Sequence, residues 1–95
     1  PSAIMAANNL MTIGAMHALR DAKIAVPEQM ALVGFDDFDW ADFFLPRLSV
    51  IAQPVEALGE RAVQLLLQRI DRPEGPIQAE RLAATLRLRN SCGCP

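Results

Sequence analysis

From Ala3 to Ala7 the chain runs apolar without interruption, as a short strand buried on both faces does, so a first strand is expected over Ser2–Ala7. Asn8 and Asn9 end the run. Either can accept a backbone hydrogen bond at a helix N-terminus, and the pattern after them turns helical. Met11, Ala15, Ala18, Leu19 and Ala22 fall on one stripe, which predicts a helix to about Ala22 with that stripe against a sheet. Leu10, Ile13 and Met16 form a second stripe beside it. A helix apolar on two sides is expected to be buried on two sides. Val26-Pro27 then breaks the chain, because a residue before proline is pushed out of helical geometry. Met30 to Phe35 is again continuously apolar. Strand, helix and strand in this order predict a right-handed βαβ unit and an α/β fold class.

An acidic and aromatic segment follows, Asp36 to Phe44, with Pro46 closing it, too long for a tight turn. Leu48 to Ala52 offers a third strand. Pro54 sits where proline is favoured, in the first turn of a helix, and Val55, Leu58, Ala62, Leu65 and Leu66 share one face down to about Arg69. Asp71 to Pro76 is rich in turn formers. Two extended stretches are expected after it, Ile77 to Leu82 and Ala84 to Arg89, the second alternating as a half-exposed strand. The first three strands can share one sheet, but too little chain remains to cover both its faces. The pattern therefore describes a segment of a larger α/β architecture.

Composition narrows the function classes. With 95 residues there is at most one thin core, while 52% hydrophobic and 21% charged residues mark a folded segment rather than a disordered one. A formal charge of −2 and the lack of any Lys/Arg cluster leave no field to attract phosphates, so this segment itself is not expected to grip nucleic acid. No apolar run approaches the roughly 20 residues that span a bilayer, and no signal pattern opens the chain. Cys92 and Cys94, one residue apart, make a strained disulfide and are too few for structural zinc. They are read as thiols of a tail, which suits a reducing cytoplasm.

Ligands of open parallel sheets bind at the carboxyl ends of the strands. Asn8 follows the first strand and Asp36 the second, and a βαβ unit brings those ends together. An amide offers donor and acceptor and a carboxylate accepts from two hydroxyls, which suits a polyol or sugar. Both residues are also common caps, so at this level capping and binding stand equal. The Asp36-Asp37 pair invites a metal or phospho-acceptor reading, but that chemistry needs a further Asp and a Lys at later strand ends, where this chain has Ala52 or Gln53. His17, the single histidine, lies mid-helix with only Asp21 one turn away. No Gly-rich phosphate loop follows either strand. No enzyme activity, metal or cofactor is therefore expected. Trp40, Phe38, Phe43 and Phe44 crowd one loop, and such a cluster is expected to pack against another surface.

The order of short motifs carries more than any one of them. Ile4-Met5-Ala6-Ala7-Asn8-Asn9, Gly14-Ala15, Ala18-Leu19, Val26-Pro27 and Ala31-Leu32-Val33-Gly34-Phe35-Asp36-Asp37 are followed by Pro46-Arg47-Leu48-Ser49, Gln53-Pro54, Gly59 and Arg61-Ala62. Over nearly the whole chain this resembles the C-terminal portion of LacI/GalR-type transcription regulators. The resemblance implies a type I periplasmic-binding-protein-like core of two α/β subdomains, a small-molecule effector between them, and an upstream headpiece that binds operator DNA. Residues 1–53 would end the C-terminal subdomain, 54–82 would belong to the N-terminal subdomain, and 83–95 would return as a last strand and tail. By the same resemblance Asn8 and Asp36 contact a sugar-like effector, and Leu10, Ile13, Met16 and Phe44 belong to the homodimer surface. The position of Val55 is aromatic in some relatives and touches ligand. A sugar-binding protein of a transport system shares the fold and is the alternative. Val33-Gly34-Phe35-Asp36-Asp37 with Gln53-Pro54 favours the cytoplasmic repressor.

Overall fold

The apolar runs become strands in the computed structural model, which describes all 95 residues. The chain divides into two units, residues 1–53 with 85–95, and residues 54–84. In the first unit, β1 (Ala3–Ala6), β2 (Ala31–Phe35), β3 (Ser49–Ala52) and β4 (Thr85–Arg87) form one sheet in that order. The first three are parallel, with Ala6 beside Gly34 and Val33 beside Ser49, and β4 closes the edge antiparallel, with Val50 beside Arg87. The helix α1 (Asn9–Asp21) connects β1 to β2, as the βαβ pattern requires. A short 3-10 helix, Asp39–Asp42, lies in the connection from β2 to β3.

Leu19, Leu32, Ala41, Leu48 and Val50 are the buried centre, with Ile4, Ala15, Met16, Ile24, Val26, Met30, Phe38 and Phe44 packed around them. The helix face that meets the sheet differs from the expected stripe. Thr12 is wholly buried, whereas Met11 is 58% exposed and Ala18 and Ala22 face solvent. The reason lies opposite, at Gly34. A Cβ there would stand 2.6 Å from Thr12 Oγ1, so the missing side chain is the space that Thr12 fills. A threonine is tolerated in the core because its hydroxyl donates to the Asn8 carbonyl at 2.8 Å.

The end of α1 is a Schellman turn built on Lys23, whose φ is +57°. The Lys23 N–H donates to Arg20 O and the Ile24 N–H to Leu19 O, both at 2.9 Å, and Ile24 then joins the core. At the amino ends of β2 and β3 the tail is inserted. Ser91, fully buried, donates through Oγ to Leu32 O at 2.6 Å and accepts from the Ser49 N–H at 2.8 Å. Its carbonyl takes the Leu32 N–H, also at 2.8 Å.

The second unit is α2 (Val55–Asp71) and the segment that follows it. Arg61 grips Glu80 through two hydrogen bonds of 2.6 and 2.8 Å, and Arg69 donates to the carbonyls of Pro73 and Gly75. No residue of α2 is buried within this unit. The strand expected over Ile77–Leu82 does not form. Ile77 is 91% exposed, and a strand exists only when another backbone accepts and donates along it, which a unit of one helix does not provide.

The Thr12 contact makes a sharp prediction. Gly34→Ala should destabilise the intact protein by about 1–3 kcal/mol, since the stiff threonine side chain turns away only by giving up its hydrogen bond. Adding Thr12→Ala should recover much of the loss. A thermal midpoint unmoved by Gly34→Ala would show that α1 does not press on the sheet at this point.

Candidate functional site

Three neighbouring parallel strands end side by side, and each is followed within two residues by an amide or a carboxylate: Asn8 after β1, Asp36 after β2, Gln53 after β3. Asn8 caps α1. Its extended backbone aims Oδ1 at the Met11 N–H, 2.8 Å away, which fixes the amide orientation and leaves the NH2 group without a protein acceptor. The capping role thus uses one atom of the side chain and leaves another free to donate.

Asp36 is held in the left-handed region, φ +77°, a conformation that Asp tolerates better than most residues. Its N–H donates to Ile51 O at 2.8 Å, continuing the β2–β3 pairing one residue past the strand. Gln53 Nε2 donates to Oδ1 of the Asp36 carboxylate. The other carboxylate oxygen has no protein partner. In the sequence Gln53 serves as a motif residue and as one unsuited to phosphoryl chemistry, with no place in the site; its position at the third strand end was the available signal.

The neighbouring acid points elsewhere. Asp37 forms a two-pronged pair with Arg89, Nη1 to Oδ1 and Nη2 to Oδ2 at 3.0 Å each, and also accepts the Phe38 N–H at 3.0 Å. Arg87 stands 3.4 Å away. Arg89 goes on to meet Asp42 at 2.9 Å and to donate to Leu48 O at 2.7 Å, while Arg47 donates to Asp42 at 2.7 Å. Only 10% of the Arg89 side chain is exposed. The hydrogen bond from Arg89 holds the Asp37 carboxyl below the usual carboxylate range, and the same bond raises Arg89. Of the alternating residues 84–89, Leu86 and Leu88 are exposed and Arg89 is the least exposed member.

The remaining candidates are spread over the surface of this unit. Leu10 is 76% exposed, Ile13 is half-buried, and Met16 and Phe44 are half-buried against the core. Phe44 meets Phe38 edge-on, ring centres 6.0 Å apart, while Trp40 and Phe43 face outward. His17 is taken up by Arg20, 2.9 Å from Nδ1, and Asp21 also pairs with that arginine.

The profile of the family described as periplasmic binding protein-like domain matches residues 1–92. The ribose operon repressor of Escherichia coli (strain K12) is 39% identical over 85 residues, 90% of this chain and 25% of its own. The transcriptional repressor PurR of Haemophilus influenzae (strain PittEE) is 38% identical over 89 residues, 93% of this chain and 26% of its own. A LacI family transcriptional regulator from Enterococcus faecium, solved with bound ribose, superposes with a TM-score of 0.81 at 32% identity, covering 95% of this chain and 34% of that one. The chain thus spans about a quarter of the length of these curated relatives.

Arg89→Met keeps the aliphatic stem and strands the Asp37 charge, so it should cost about 3 kcal/mol of stability, read as a lower urea midpoint of the intact protein. Because the Asp37 carboxyl is depressed in the folded state, its contribution is complete above the usual carboxylate range and disappears as pH falls through the lowered value. The acid limb of the stability curve should therefore flatten in the variant. An identical limb would place the acid sensitivity in other groups.

Proposed function

Since this chain belongs to the periplasmic binding protein-like domain family, in the form found in LacI-type regulators, we propose that it is the C-terminal part of the effector-sensing core of a bacterial transcription repressor. The effector is a small sugar. The observation that carries this reading is the set of strand-end groups: the free amide NH2 of Asn8 and the free carboxylate oxygen of Asp36, the latter steadied by Gln53. A sugar hydroxyl both donates and accepts, and this pair supplies one complement to each role. The chemistry of the site is binding without turnover. Curated relatives 38–39% identical to this chain are repressors, and the Enterococcus faecium regulator was solved with ribose.

In this reading residues 1–53 and 83–95 belong to the C-terminal subdomain and 54–82 to the N-terminal one, a division supported by the separate unit over 54–84. Operator binding resides in an upstream headpiece, and the protein works in the cytoplasm. No helix of the chain is long and apolar enough to cross a membrane. The protein acts as a homodimer joined partly through Leu10, Ile13, Met16 and Phe44. The exposed part of that surface, Leu10 with the outer side of Ile13 three residues on, supports the assignment. A two-fold axis would cover it with its own copy and present two headpieces to a palindromic operator.

Calorimetry of the intact protein with ribose and a panel of other sugars tests the ligand. Asp36→Asn preserves the left-handed backbone and removes the charge, and it should weaken the bound sugar by about 2 kcal/mol, roughly 30-fold. Unchanged affinity would remove Asp36 from the site, and sugar binding with no sugar-sensitive DNA binding would favour the transport-protein alternative.

The dimer is tested separately. Ile13→Asp should place a charge against its symmetry mate and raise the dimer dissociation constant at least tenfold, measured by sedimentation. Wild-type dimerisation in that variant would show that the stripe packs within its own subunit.

A further inference from the structure

Asp36 and Asp37 are adjacent carboxylates with partners of different kinds. Asp37 gives both oxygens to one guanidinium, Arg89, with Arg87 3.4 Å away, so its charge is matched and both oxygens are engaged within the protein. Asp36 has no such cation. Its one side-chain partner is a neutral amide, Nε2 of Gln53, which takes Oδ1 and leaves Oδ2 without a protein partner. An amide N–H directs a carboxylate without cancelling its charge. Both residues are half-buried, at the carboxyl ends of β2 and β3.

The backbone holds Gln53 in place for this contact. Ala52 on its amino side is paired with Thr85 in the β3–β4 ladder, and Pro54 on its carboxyl side caps α2, its carbonyl taking the Leu58 N–H at 2.9 Å. A residue before proline is further confined to extended backbone. On the facing strand the Asp36 N–H donates to Ile51 O at 2.8 Å, so the two side chains leave from fixed points. Only their own torsions remain to be ordered.

We propose that Gln53 is the positioning residue of the effector site: its amide fixes Asp36 through Oδ1, so that Oδ2 is presented with its charge intact to a hydroxyl of the sugar. The assignment rests on the reading of Asp36 as an effector ligand and adds the group that makes this carboxylate ready to bind. A carboxylate free to rotate loses that freedom when it accepts a hydroxyl, whereas one held by Gln53 has lost it already on folding. An arginine at the same point would hold the carboxylate as firmly but match its charge and engage both oxygens, as Arg89 does for Asp37. Glutamine supplies direction alone.

The test is a double-mutant cycle on the intact protein, with ribose as the probe and calorimetry as the readout. Asp36→Gly suits the left-handed backbone and removes the carboxylate. Gln53→Met removes the amide, and should weaken ribose about tenfold beside an intact Asp36 but less than about threefold beside Asp36→Gly, since Gln53 acts through that carboxylate. Equal losses in the two backgrounds, or none in either, would overturn the proposal. Gln53→Glu gives a second readout. Two carboxylates in contact repel, whereas one proton shared between them restores both the hydrogen bond and the single negative charge of the natural pair. Ribose affinity of Gln53→Glu relative to wild type should therefore climb at least about fivefold from about pH 8 to pH 5, while that of Gln53→Met stays level. A level ratio for Gln53→Glu would also overturn the proposal. Ribose affinity identical in wild type and Asp36→Gly, whether both bind or neither does, removes the underlying reading of Asp36 instead, so the two failures are told apart.

Discussion

A guanidinium with a tenth of its side chain exposed stays in place only where anions and carbonyls meet it, and the connection from β2 to β3 is arranged around that demand. Asp37 at the start of the connection, Asp42 at the end of its 3-10 turn and the Leu48 carbonyl just before β3 all converge on Arg89. A loop of this length without such a centre would have many conformations. With it, Phe38 and Phe44 fall inward onto the core and Asp36 is left as the one acid of the adjacent pair that does not face an arginine. The ion pair thus decides which carboxylate is available to a ligand.

The strand ends show how little special machinery the proposed binding site needs. Parallel pairing alone sets Asn8, Asp36 and Gln53 in a row. Each then serves the fold with one atom and keeps another free: Asn8 caps α1 through its oxygen, and Asp36 accepts Gln53 on one oxygen. Cap and ligand group, which compete as explanations when only the residue type is known, are compatible once individual atoms are followed. If these groups bind the proposed effector, stability and recognition at these positions are coupled, and a substitution chosen to silence one disturbs the other.

Much of the fold was legible in the chain because it rests on apolar runs of one period. β1, β2, β3, α1 and α2 announced themselves that way, and the strand-end candidates followed from topology. Other features carry no periodic signature. Thr12 is a polar residue in an apolar stripe, admitted by a glycine 22 positions away. Arg89 and Ser91 are polar residues of a tail whose partners, Asp37, Leu32 and Ser49, are 42 to 59 residues distant. Ile77–Leu82 erred in the other direction: an extended apolar pattern is necessary for a strand, but its partner's backbone is a separate requirement. Gln53 was read as a motif residue and as a poor phosphoryl-transfer group, and its hydrogen bond to Asp36 has no signature in the sequence.

The Ser91 insertion has a bearing on how the sheet is made during synthesis. Leu32 and Ser49 leave the ribosome well before the serine that joins them, since their bonds to it span 59 and 42 residues. Until the segment Arg89–Ser91 arrives, the amino ends of β2 and β3 have polar groups that only water can satisfy, and the Arg89 centre that orders the intervening loop is missing. Local pairing of β1, α1 and β2 can proceed early, whereas sealing of the β2–β3 junction waits for Ser91. A nascent chain stalled just short of Arg89 would therefore have every apolar strand in hand and still lack the polar groups that join the amino ends of β2 and β3.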